Sequence, residues 1–91
     1  MNEKNIDKVI EAVSEARLEY LAQLAYVMDL DSIISTLKDP FAWQKIVPEK
    51  TEEARIEAIK VYEAKASDAS LVQREKLMKL EALEATLKEI S

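Results

Sequence analysis

Not one of the 91 residues is glycine. Glycine is the residue that takes positive φ without a steric penalty. Its absence excludes the phosphate-cradling loop, the dinucleotide fingerprint and the nucleophile elbow. Cysteine and histidine are absent too. Without cysteine there is no disulfide, no thiolate chemistry and no thiolate-held zinc. Without histidine the chain lacks the commonest general base and the commonest transition-metal ligand. No catalytic, cofactor-binding or metal-binding residue is therefore assigned, and the chain is expected to be non-enzymatic and cofactor-free.

A chain of this length makes one domain and buries only ~60–65% of its unfolded surface. Small helical chains of this kind often draw their last few kcal/mol from a partner or from a second copy. Hydrophobic residues are 48% and charged residues 34%, which places the chain among globular rather than disordered sequences. The net charge is −5, with 13 basic residues scattered among 18 acidic ones. Phosphate recognition needs clustered Lys and Arg, so direct nucleic-acid binding and attachment to anionic membranes are not expected. No run of 18 apolar residues occurs, and Met1 to Lys8 is polar with no apolar core after it. Neither a membrane span nor a signal peptide is read, and the expected location is the cytoplasm. A virion component would read the same way.

Helical spacing runs through most of the sequence. Ile6, Val9, Ile10, Val13, Ala16, Tyr20, Leu24 and Val27 recur at the helical period, predicting a first helix over about 6–28 with Asn5 as its cap. Asp29, Asp31 and Ser32 are expected to end it and to open a short helix with Ile33, Ile34 and Leu37. Asp39-Pro40 stops that helix, and FAWQKIV forms a turn, giving a connector over 29–48. Pro48 is expected to open a helix over 48–66, whose apolar face is Ile56, Ile59, Tyr62 and Ala66. Ser67-Asp68-Ala69-Ser70 breaks the pattern, and Ser70 with Gln73 matches a capping box for a last helix over 70–90. Leu80, Leu83, Leu87 and Ile90 follow the 3-4-3 spacing of a hairpin or coiled-coil seam, with Met78, Ala82 and Ala85 as a weaker second side. The expected fold is all-α: a small single-domain bundle with a long N-terminal helix, an irregular connector and a C-terminal antiparallel helical hairpin.

The segment Leu18–Met28, LEYLAQLAYVM, is apolar nearly all round. Such a helix is buried all round, and a chain this small has little surface with which to cover it. Leu18, Leu21, Ala22, Leu24, Ala25, Tyr26 and Met28 are thus candidate interface residues, either for a second copy or for a foreign protein. The competing reading is a central helix covered by its own chain. Phe41 and Trp43, the only Phe and Trp, fit an interface anchor or a plug at the end of the bundle. Asp7, Glu11, Glu15 and Glu19, spaced by four, form an acidic stripe that is either a docking face for a basic target or a solvated surface.

Two short patterns carry resemblances. The carboxylate pairs Glu49/Glu52 and Glu81/Glu84 resemble the ExxE pairs of the all-helical MazG-type nucleotide pyrophosphohydrolases, which implies Mg²⁺ held by oxygen ligands. The acidic sets and the later Asp that complete that family's pattern are not present in clear form. The opening MNEKNIDKVIEA, with FAWQKIVPEKTEE further on, resembles segments of the small acidic all-helical anti-sigma factors of phages. That likeness implies an inhibitor or adaptor that binds a host protein. The leading expectation is a protein–protein assembly module that forms homo-oligomers through helix 1, the second is the phage-type inhibitor, and the third is the Mg²⁺-dependent hydrolase.

Overall fold

A computed structural model describes residues 3–91. They form two long helices, α1 (Glu3–Lys38) and α2 (Glu52–Ile90), joined by a connector holding one 3-10 turn, Ala42–Lys45. The described residues contain no strand, and the expected all-α class holds.

The helix boundaries differ from the expectation in both halves. Asp29, Asp31 and Ser32 do not end the first helix, and α1 runs on to Lys38. Ser67 to Ser70 does not break the second, so the two helices expected over 48–66 and 70–90 are one, with Ser70 and Gln73 in its interior. The helical hairpin is therefore α1 against α2. The reason is energetic. Ser and Asp inside a helix cost only a few tenths of a kcal/mol each relative to Ala. Burial of Val27, Leu30 and Leu37 before, within and after the first weak spot, and of Ala69 within the second, outweighs that.

The stops that do act are at the prolines. α1 ends at Lys38, immediately before Asp39-Pro40. The Asp39 carboxylate accepts the backbone N–H groups of Phe41 (2.8 Å) and Ala42 (2.9 Å), which turns the chain and starts the 3-10 segment. Pro48 does not open α2 as expected. A turn intervenes, with Lys50 at φ 54 and its N–H on the Val47 carbonyl. Thr51 then caps α2, its hydroxyl accepting the Ala54 N–H at 3.2 Å.

The chain divides into two compact units: unit 1 is the chain up to Leu24 with Leu71–Ser91, and unit 2 is Ala25–Ser70. In unit 1 the helices meet antiparallel around buried Val13, Ala16 and Leu80, with Val9, Tyr20, Leu83 and Leu87 packed on them. These positions recur at alternating three- and four-residue steps on both helices, the heptad spacing of a two-stranded coiled coil. Ion pairs run along the flanks: Arg17 to Glu84 at 3.7 Å, and Glu19 to Lys76 at 3.6 Å and Lys79 at 3.8 Å.

Unit 2 holds two clusters that share Tyr62. One is Val27, Leu30 and Ala69; the other is Leu37, Trp43 and Val47, against Ile33, Ala54, Ala58 and Ile59. Arg55 fastens the connector end. Its Nε donates to the Leu37 carbonyl at 2.8 Å and its Nη2 to the Lys38 carbonyl at 3.2 Å. These are two of the carbonyls that the last turn of α1 leaves without a helical partner. The guanidinium also pairs with Glu52 at 2.9 Å and lies 5.5 Å from the Trp43 ring centre.

Candidate interaction surface

The α1–α2 seam takes one side of α1 and leaves the other to solvent. Val9, Val13, Ala16, Tyr20, Val27, Leu30 and Leu37 go inward, as buried or half-buried residues. Leu18, Leu21, Ala22, Ala25 and Met28 are exposed. By their spacing of three and four, Leu18, Leu21 and Ala22 share one exposed side of α1 within unit 1, and Ala25 and Met28, three apart, share one exposed side of it within unit 2. Leu18 is 69% exposed and Met28 63%. Isolated exposed apolar residues are ordinary, but a contiguous row of them is the usual mark of a contact surface.

The candidates of the Leu18–Met28 segment thus separate. Leu24 is half-buried beside the seam, and Tyr26 is exposed on the flank of α1. The connector pair separates too. Trp43 is buried, 7% exposed, in the cluster with Leu37 and Val47. Phe41 is 85% exposed. Its backbone is held by the Asp39 carboxylate, and it stands immediately before the 3-10 turn. Those two hydrogen bonds favour the ionised form and hold the Asp39 carboxyl below its usual pKa.

The acidic stripe also divides. Asp7, Glu11 and Glu15 face solvent. Glu19 turns to the flank of the seam, where it meets Lys76 and Lys79. Of the carboxylate pairs, Glu52 is taken by Arg55 and Glu84 by Arg17. Among the described residues no group of three or more Asp or Glu stands close enough together to hold a metal ion.

Two features escaped the sequence reading. Leu71 extends the outward side of α2, together with Met78, Ala82 and Ala85, all exposed. The seven-residue steps Leu71, Met78, Ala85 were the available signal. Nothing local in the sequence marks Arg55, whose side chain reaches carbonyls 17 and 18 residues earlier. Among the described residues no helix is long and apolar enough to cross a membrane. Compared with known proteins, the chain matches no family model, no curated sequence and no solved structure.

Proposed function

We propose that this chain is a non-enzymatic helical assembly module that self-associates through the outward face of α1. The observation that carries the reading is the exposure of Leu18, Leu21 and Ala22 in unit 1, on a helix whose Val13 and Ala16 are already covered by α2, with Ala25 and Met28 likewise exposed in unit 2. Burying such residues against a second copy recovers apolar area that folding of one chain leaves in water. Light scattering at low micromolar concentration tests it. The expected mass is a multiple of 10.4 kDa, and either Leu21→Glu or Leu18→Glu returns it to 10.4 kDa. A clean monomer for the unaltered chain would sink the proposal.

A second reading is a small acidic inhibitor or adaptor that binds a foreign protein. Phe41 favours it: a largely exposed aromatic on a backbone fixed by side-chain hydrogen bonds is a preorganised anchor. For this reading a purified candidate target should bind the chain and lose affinity on Phe41→Ala, with a further loss when Glu11 and Glu15 are reversed to Lys. Unchanged affinity in both variants counts against it. The Mg²⁺-dependent hydrolase has no geometric observation in its favour, and a nucleoside-triphosphate release assay with Mg²⁺ decides it directly.

A further inference from the structure

We propose that the seam of unit 1 opens as one cooperative segment while unit 2 stays folded, with the break at a polar stretch formed by Gln23, Gln73 and Lys76. The clusters set the register. Val13, Ala16 and Leu80 form one cluster with Val9, Leu83 and Leu87 packed on it, and in an antiparallel pair with Ala16 beside Leu80 the three- and four-residue steps put Val13 beside Leu83 and Val9 beside Leu87. Carrying the same heptad steps toward Leu24 places Tyr20 across from Lys76 and Gln23 across from Gln73. All four belong to unit 1, and all are half-buried. Two successive layers of the seam therefore hold two amides, an ammonium stem and a phenol where the layers beyond them hold Val, Ala and Leu.

Polar side chains at seam positions specify pairing at a cost in stability. Lys76 shows the conflict, since its stem fills a seam position while its ammonium leaves for Glu19 on the flank. Beyond these layers the described residues of unit 1 include three buried side chains, Val13, Ala16 and Leu80, and one of them is an alanine. Its ion pairs are exposed and contribute little. Unit 2 is built differently. It buries Val27, Leu30, Leu37, Trp43, Val47 and Ala69, and Arg55 ties α2 to the end of α1. Opening of unit 1 releases Val9, Val13, Leu80, Leu83 and Leu87, which cover one another in the closed form. This inference does not depend on the self-association proposed above.

Native-state hydrogen exchange on the full chain, at a concentration where it is monomeric, tests it. Ordinary fraying gives protection that falls smoothly toward the helix ends. Cooperative opening gives a plateau across 9–16 and 80–87, at least about tenfold below that of 27–37 and 55–66, with a step at the polar layers. Replacing both amides (Gln23→Leu with Gln73→Leu) should raise the plateau by about tenfold or more and leave unit 2 unchanged. Lys76→Leu carries the same expectation and serves if the double variant folds differently. Equal protection in the two units, or a smooth gradient unmoved by the substitutions, overturns the proposal.

Discussion

Removing the Arg55 side chain tests the account of the connector most directly. Arg55→Ala deletes a part-buried hydrogen bond to the Leu37 carbonyl and an exposed one to the Lys38 carbonyl. It also deletes the stacking over Trp43 and an i,i+3 pair with Glu52. A charge-assisted hydrogen bond that is partly buried is worth about 1.5 kcal/mol, and the exposed one about 0.5 kcal/mol because water replaces it. The cation–π contact adds about 0.5 kcal/mol and the exposed helix pair a few tenths. The expected loss is about 2–3 kcal/mol. For a domain this size that lowers the Tm by ~10–20 °C. Urea unfolding followed by fluorescence reads it cleanly, since Trp43 is the only tryptophan and sits in the affected cluster. Arg55→Lys should recover less than half of the loss, because an ammonium cannot bond both carbonyls in a fork and stack at once. The difference should persist in 1 M salt. A loss under about 0.5 kcal/mol, or one that high salt erases, would show that the Glu52 pair rather than the carbonyl clamp was responsible.

Three further outcomes are expected. Leu37→Ala removes the most completely buried side chain and should cost about 2–5 kcal/mol in the same urea measurement, against less than 1 kcal/mol for exposed Leu18→Ala in the monomer. Lys50 sits at φ 54, where glycine carries no steric penalty, so Lys50→Gly should raise stability by about 0.5 kcal/mol and Lys50→Val should lower it, read as opposite shifts of the unfolding midpoint. Asp39 is held below its ordinary carboxylate value of 3.8 by the Ala42 and Phe41 N–H groups, so its contribution is present above 3.8 and is lost as pH falls through the lowered folded value. Titration of the Phe41 and Ala42 amide resonances should therefore show an inflection below pH 3.8, and an inflection at or above 3.8 would refute the turn geometry.

The sequence alone determined the all-α class of the fold and, by having no Cys or His, that no thiolate or imidazole is available in these 91 residues. Helical periodicity over Ile6–Val27 and Leu80–Ile90, with no glycine to break it, dictates helices through local geometry, which is why those stretches are legible without a structure. The same is true of the stop at Asp39-Pro40, because the proline ring acts on its immediate neighbour. Continuity through Asp29–Ser32 and Ser67–Ser70 was decided only in tertiary structure. There a weak local preference is set against burial on a partner helix that sequence spacing does not reveal. Tertiary contact also divided look-alike residues. Of the two aromatics in the connector, Trp43 goes inward to Leu37 and Val47 while Phe41 stays in water. Of four acids at equal spacing, only Glu19 meets lysines from α2. The apolar segment Leu18–Met28 could be read from composition, but which side of it faces solvent could not. A helix that is apolar all round carries no record of which stripe its partner covers, and only the packing of α2 against α1 left Leu18, Leu21 and Ala22 of unit 1, and Ala25 and Met28 of unit 2, in solvent.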